Sequence, residues 1–242
     1  DRQGGFYLTG YFSDTMQFGS STLRSDGSKD FFLGRLDSNG QPIFAVRGGG
    51  ERRNEGEQVA TDPQGNAYVI GKIMGKATFD GITLRHSGNH DGFLLKYNPS
   101  GDLLWAKQMA GIQNVFPLDL DVDAIGNAFV SGQYQGEADI AGTTLENEGA
   151  YDGFISMFNQ SGRLIWVKTI GAQFIDRFNA LQADGQGGCY VSGTFAGDIS
   201  FGNYDMSAPS QFDLCFFRID QFGTVKWGQQ TGGPGTEYCR SI

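Results

Sequence analysis

Apolar and polar residues along this chain fall into short runs rich in aromatic and β-branched side chains, and no stretch carries the spacing of an amphipathic helix. Residues 66–72 (Asn-Ala-Tyr-Val-Ile-Gly-Lys) follow the turn sequence Asp62-Pro-Gln-Gly65 and predict a strand. Its copies are residues 5–11, 127–133 and 188–194. Asp91-Gly-Phe-Leu-Leu-Lys-Tyr97 and Leu103-Leu-Trp-Ala-Lys-Gln108 predict two more strands. Asn98-Pro-Ser-Gly101 joins them as a hairpin whose glycine supplies the positive φ of the turn. A fourth strand precedes each Asp-x-x-Gly turn, anchored by Val59, Leu120, Leu181 and Ile242. Between the first two strand types described lies an extra segment, in which the alternation of Phe79, Ile82 and Leu84 predicts a small hairpin.

This pattern repeats four times in steps of 61 residues, with no insertion between anchors: Gly10, Gly71, Gly132, Gly193; Asp30, Asp91, Asp152, Asp213; Gly40, Gly101, Gly162, Gly223; Phe44, Trp105, Trp166, Trp227. A period of this size marks an array whose units bury their apolar faces only against each other. Four short antiparallel strands per unit predict an all-β fold, a β-propeller with four 61-residue four-stranded blades. The units fall at about 1–61, 62–122, 123–183 and 184–242, as one propeller domain spanning 1–242. With the strands lettered A (Val59 type), B (Tyr-Val-x-Gly), C (Asp-x-Phe) and D (Trp), the chain opens on B and ends on A. The C-terminal A strand, residues 236–242, is therefore expected to pair with the N-terminal B-C-D strands and close the ring. An open edge would invite association, so the alternatives are pairing with a second copy or continuation into further blades.

Composition narrows the partners. The formal net charge of -9 opposes binding to nucleic acid, which requires clustered Lys and Arg. No apolar run approaches the roughly 20 residues of a membrane-spanning helix, so no membrane insertion is expected. Asp1 is either a mature end or a cut. Cys189 and Cys215 replace alanine or phenylalanine in the other copies and are expected to pack as small buried hydrophobes. With Cys239 the count is odd, and no disulfide framework is implied.

The motifs also resemble a known family: bacterial secreted proteins built from the "seven-bladed β-propeller" type of repeat. The resemblance rests on Gly65-Asn-Ala-Tyr-Val-Ile-Gly71, Phe18-Gly-Ser-Ser-Thr-Leu23, Gly149-Ala-Tyr-Asp-Gly-Phe154 and Gly162-Arg-Leu-Ile-Trp166, and it covers all four copies. It implies an extracellular or bacterial cell-surface location, often within a larger multidomain chain, and no catalytic residues. Four copies in place of seven depart from the pattern and leave the blade number of an intact ring open.

Candidate chemistry is sparse. Asp119, Asp121 and Asp123 alternate along one strand face and invite a calcium reading. Asp123, however, is the turn aspartate shared with Asp62 and Asp184, and no metal or other cofactor is favoured. His86 and His90 lie in one B-C segment and read as loop histidines, because their spacing suits a zinc pair only on a helix. Gly48-Gly-Gly50 and Gly232-Gly-Pro-Gly235 precede no helix and offer no phosphate cradle. Quinoprotein dehydrogenases and sialidase-like hydrolases also place an acidic turn before a tryptophan. This chain has no Ser-x-Asp-x-Gly box and no aligned arginine triad. Its turn Asp or Asn is expected to cap its own turn, with the Trp packing between blades.

The A-B and C-D turns are nearly identical in all units, whereas the D-A segments diverge. Arg52, Arg53, Phe116, Phe174, Arg177 and Tyr238 in those segments are expected to ring one mouth of the channel, with the aromatic and arginine composition of binding hot spots. Relaxed constraint on loops explains the same divergence. The leading expectation is a noncatalytic propeller that binds a protein or glycan through its B-C and D-A face. A structural spacer is the second reading, and a propeller hydrolase or lyase the third.

Overall fold

A computed structural model describes residues 4–242, with the side chains of all but Pro209 and Ser210. Among these residues the fold is all β, without a helix. The first unit contains β1 (Phe6–Phe12), the hairpin β2 (Thr15–Phe18) and β3 (Ser21–Arg24), then β4 (Asp30–Leu36) and β5 (Pro42–Gly49). The second contains β6 (Asn54–Thr61), β7 (Ala67–Ile73), the hairpin β8 (Ala77–Phe79) and β9 (Ile82–Leu84), β10 (Asp91–Tyr97) and β11 (Leu103–Gly111). The third repeats this with β12 (Asn114–Val122), β13 (Ala128–Gln135), β14 (Ala138–Ile140), β15 (Thr143–Leu145), β16 (Asp152–Phe158) and β17 (Leu164–Ile170). In the fourth, β18 (Arg177–Ala183) and β21 (Val225–Thr231) flank β19 (Cys189–Phe201) and β20 (Tyr204–Ile219), which absorb the small hairpin into their own length.

All pairings within the sheets are antiparallel, and β12-β13-β16-β17 and β18-β19-β20-β21 show the repeating four-stranded order. The inner strands bulge at the same place in each copy, between Gly56 and Gln58, Pro117 and Asp119, and Phe178 and Ala180. The extra hairpin expected from Phe79, Ile82 and Leu84 is present, but it extends the sheet of the preceding unit: β8 pairs with β5, and β14 with β11. Phe79 lies against Gly48 so closely that any side chain there would overlap its ring.

The sequence markers are contact points. Gly132 faces the ring of Phe154, which a Cβ would approach to 2.7 Å, and Gly193 faces Phe178 at 2.9 Å. Asp62, Asp123 and Asp184 cap their own turns; for Asp123, Oδ1 accepts from Ile125 N at 3.0 Å and Asn127 N at 2.8 Å. Trp105 and Trp166 reach the next unit and donate Nε1–H to the carbonyls of Gln160 (3.2 Å) and Gln221 (3.3 Å). Each apolar cluster straddles a junction between units. Phe31 and Leu33 pack with Phe79, Phe93 and Tyr97; Tyr68, Ile70 and Leu94 with Leu120, Phe154 and Phe158; Phe129, Ile155 and Met157 with Phe178, Val191 and Phe217.

Closure by the C-terminal strand is not observed. The inner strands pack in series, β6 on β12 and β12 on β18, and the B strand β1 packs on β6, but β18 and β1 share no comparable packing. β1 pairs with β4 alone, and residues 232–242 form no strand. Pro234 removes a ladder donor, and three neighbouring glycines raise the entropy cost of extending this segment. Instead the tail is tied to its own unit and then runs against the inner strands of the second, third and fourth units. Glu237 N donates to Phe212 O at 3.1 Å, and Arg240, Ser241 and Ile242 share a recess with Asp119, Asp121 and Leu181. Ile242 is 49% exposed, whereas its register partners Leu120 and Leu181 are buried.

The buried hydroxyl of Tyr68 donates across a junction to Gly126 O at 2.9 Å, and the third unit carries Phe129 at this register position. Tyr68→Phe is therefore expected to keep the fold while lowering unfolding free energy by about 1 kcal/mol, measured by urea denaturation.

Candidate functional site

At one end of the molecule the segment entering each C strand is bridged to the following D-A segment, through Lys29 and Arg53, His90 and Asn114, and Tyr151 and Ile175. These bridges bring together two sequence columns, 24 residues apart in each copy, and side chains of the B strand lie beside them. The side chains form a half-exposed strip that crosses from the first unit to the third. Lys29 Nζ sits 3.8 Å from the centroid of the Tyr11 ring, and the Arg53 guanidinium lies 5.9 Å from the same ring. Glu55, only 3% exposed, anchors both cations: Arg53 contacts it directly and Lys29 lies at 3.7 Å. It also holds Lys72 at 3.4 Å, and Lys72 in turn lies 5.9 Å from the Phe116 ring. Burial pushes the Glu55 carboxyl up, but the Arg53 hydrogen bond and the Lys72 and Arg53 charges outweigh it and hold it below its ordinary value.

Phe116 continues the strip between His90 at 5.2 Å and a stacked Tyr151 at 6.3 Å. Asn114 fixes these rings: its Oδ1 lies 3.0 Å from His90 Nδ1, and its Nδ2 donates to Tyr151 Oη at 3.1 Å and Gln135 Oε1 at 2.9 Å. In the fourth unit Arg177 lies over Tyr238 at 5.5 Å and donates Nε–H to Thr194 Oγ1 at 3.2 Å. Phe116, Arg177 and Tyr238 thus occupy one register position of the D-A segments, which Glu55 holds in the second unit, and Arg53 lies two residues before it. Arg52 and Phe174 do not join them. They are register equivalents of each other and line two separate recesses, of ≈ 360 Å³ beside Gly49, Gly75 and Lys76, and ≈ 400 Å³ beside Gly171, Gly197 and Asp198.

Comparing the D-A segments alone misses Tyr11, Lys29, Lys72, His90 and Tyr151. The signal lay in the columns flanking the marker residues. After the B-strand glycine the units carry Tyr11, Lys72, Gln133 and Thr194, and before the C-strand aspartate Lys29, His90, Tyr151 and Phe212. His86 stays in its own loop, with Nε2 2.9 Å from Asn89 O.

The aspartates singled out for calcium have other work. Asp119 Oδ2 accepts from Leu181 N at 2.6 Å and Asp121 Oδ2 from Ala183 N at 2.8 Å, both across a junction. Their Oδ1 atoms accept from Leu120 N and Val122 N. The two carboxylates cap the open edge of β18, which has no inner neighbour to pair with. Cys189 and Cys215 are buried and unbridged, and burial raises both thiols.

A buried carboxylate pair lies behind the larger recess. Asp176 accepts from Ala172 N at 2.8 Å and Ala196 N at 3.0 Å, yet burial, aided by the charge of Asp152, pushes it up to about 6. Asp152 is raised as well, chiefly by burial. The second unit has Asn54 at the position of Asp176.

No known protein-family profile matches the chain. Over 147 residues it is 26% identical to the Regulatory protein FlaEY of Caulobacter vibrioides, covering 57% of this chain and 15% of that protein. Over 231 residues it is 25% identical to the Uncharacterized WD repeat-containing protein L264 of Acanthamoeba polyphaga mimivirus, covering 80% of this chain and 17% of that one. The chain thus spans less than a fifth of the length of either relative. Among solved structures, a protein of unknown function from Bacteroides caccae aligns over 92% of this chain and 94% of its own, at 11% identity and a TM-score of 0.26.

Two outcomes follow from these contacts. Asp121→Ala strips an acceptor from two backbone N–H groups and is expected to cost about 1–3 kcal/mol of stability; neither calcium nor a chelator should move the thermal midpoint of the parent chain, read by calorimetry. Asp176 has a folded pKa above its unfolded value, so its contribution is fully present below about pH 4 and is lost as pH rises through about 6, by roughly 3 kcal/mol. Denaturant titrations at pH 4 and pH 7 should show that slope in the parent and a flatter one in Asp176→Asn.

Proposed function

We propose that the four units are blades of a β-propeller and that the chain is a noncatalytic binding module for a protein or glycan partner. The binding surface is the end that carries the B-C and D-A segments. The observation that carries this reading is the strip through Tyr11, Lys29, Arg53, Lys72, Phe116 and Tyr151, in which aromatic faces and cations are held at fixed spacing by the buried Glu55 and by Asn114. Aromatic and arginine groups of this kind dominate binding energy where a partner excludes water. Fixed rings also lose little freedom on binding, so contact energy is retained as affinity. The opposite end supports the assignment by contrast, since its Asp and Asn side chains are consumed in capping their own turns. The blade reading draws on the repeated four-stranded order, on packing of the inner strands in series, and on the WD-repeat name of one relative. An extracellular or bacterial cell-surface setting follows from the repeat resemblance and forms part of the proposal, as does membership in a longer chain.

The test is a screen of the chain against glycan and peptide arrays, with hits quantified by calorimetry. Phe116→Ala is expected to weaken a genuine hit by at least about tenfold, while Phe222→Ala, on the turn end, leaves it unchanged. Hits insensitive to Phe116 and Tyr238 would overturn the assignment of this surface.

A further inference from the structure

The bridges at the binding end rest on a column of C-strand aspartates, and one of the four is held unlike the rest. The D strand sends a side chain to its aspartate in three units: Arg47 Nη1 to Asp30 at 3.2 Å, Gln108 Nε2 to Asp91 at 2.6 Å and Gln230 Nε2 to Asp213 at 2.5 Å. The third unit has the shorter Thr169 at this register position, and Asp152 Oδ1 is left buried without a hydrogen-bond partner. Across the bridge, Asp30 and Asp91 meet the uncharged Asn54 and Val115, whereas Asp152 meets Asp176. A further acid, Glu237, stands opposite Asp213, which Gln230 holds.

The two carboxyls close on one peptide. A Cβ at Gly171 would come within 2.4 Å of Asp152 Cγ, and Ala172 N donates to Asp176 Oδ2 at 2.8 Å. Asp152 is 1% exposed and Asp176 0%. The groups around them bring no positive charge to either. Tyr134 and Cys215 are kept neutral by burial, Glu148 adds a negative charge, and Asp198 is engaged by Ser207 Oγ at 2.6 Å. Arg177 turns to Thr194 and Tyr238. Asp30, Asp62 and Asp184 enter ion pairs; among the described residues Asp152 and Asp176 enter none.

This pair lies directly beneath one ring of the strip. Asp152 follows Tyr151 in the chain, and Asp176 follows its bridge partner Ile175. Asp176 N donates to Tyr151 O at 2.7 Å, while Phe174 O accepts from Ala150 N at 2.9 Å and Tyr151 N at 3.3 Å. Residues 174–176 therefore anchor the ring that stacks on Phe116.

We infer that Asp152 and Asp176 hold one proton between them, and that this proton latches the Tyr151 side of the binding surface, ordered in acid and loosened toward neutral pH. With the proton in place, one carboxyl donates to the other and Asp152 Oδ1 gains its missing partner. When the proton leaves to water, two buried like charges face each other without a cation, which is costly. The recess of ≈ 400 Å³ beside Gly171, Ala172 and Phe174 gives that segment room to move outward, and the three hydrogen bonds to residues 150 and 151 go with it. Asp176 sheds its proton as pH rises through about 6, so the latch is closed below that value and opens above it. Control of ligand binding rests on the reading of this surface as the binding site; the latch itself does not.

The experiment is amide hydrogen exchange of the chain at pH 5 and pH 7.5, corrected for the intrinsic chemical rate, with Asp152→Asn and Asp176→Asn in parallel. In the parent, protection of Ala150, Tyr151 and Asp176 is expected to fall by at least about tenfold between the two values, while Asn54 and Val115, in the equivalent bridges, hold theirs. Asp152→Asn supplies a permanent N–H in place of the shared proton and should stay protected at both. Asp176→Asn, which puts the residue of the second unit in the fourth, removes the second charge and should do the same. Equal protection at both pH values in the parent overturns the inference, as does a loss shared by Asn54 and Val115 or one that persists in both variants. A chain that binds nothing through Phe116 overturns the reading of the surface and leaves the exchange result standing.

Discussion

Every sheet in this protein depends on its neighbour for burial. The three apolar clusters lie between consecutive units and draw their rings from both sides, so no unit has a core of its own. Stability in such an array is a sum of junction terms. A fully buried Phe is worth roughly 1.5–3 kcal/mol, and Phe93, Phe154 and Phe217 each sit at a junction. The same dependence explains why spacing is kept so strictly. A one-residue slip would move the donors of Tyr68 and Trp105 away from their carbonyls, and would turn apolar side chains to the wrong face of the strand.

This dependence divides the molecule into a constrained end and a permissive one. At the turn end, Arg35 reaches Pro99 O, Lys96 reaches Gln160 O, and the tryptophans reach Gln160 and Gln221, so these long side chains hold units together while the Asp and Asn side chains cap their own turns. At the other end the backbone bridges, the buried Glu55, Asn114 and the buried aspartates Asp30, Asp91, Asp152 and Asp176 provide the support. The remaining positions there are released from structural duty and differ from unit to unit.

Periodicity made the strands, the hairpins and the markers legible, because each marker answers to a contact every unit repeats: Gly132 to Phe154, Asp123 to its turn, Trp105 to the next turn. What was not legible depended on breaks in the repetition. Residues 236–242 align with the inner strands by register, but Pro234 and its glycines make the approach unlike that of β6, β12 or β18. The pairing of Asp119 and Asp121 with backbone N–H groups depends on β18 lying alongside, a fact of packing absent from their alternation. The strip was half legible. Arg53, Phe116, Arg177 and Tyr238 are visible in the D-A segments, whereas Lys72, His90 and Tyr151 reach them through bridges between segments distant in sequence.

The donated hairpins have a practical bearing on any attempt to shorten or lengthen the array. Because β8 completes the sheet begun by β5, and β14 the sheet begun by β11, the sequence period and the mechanical period are offset by part of a unit. A gene cut at a sequence boundary removes a hairpin from the sheet that stays behind. A transplantable module would instead run from a B strand through the hairpin of the next copy, and would carry its own outer edge with it.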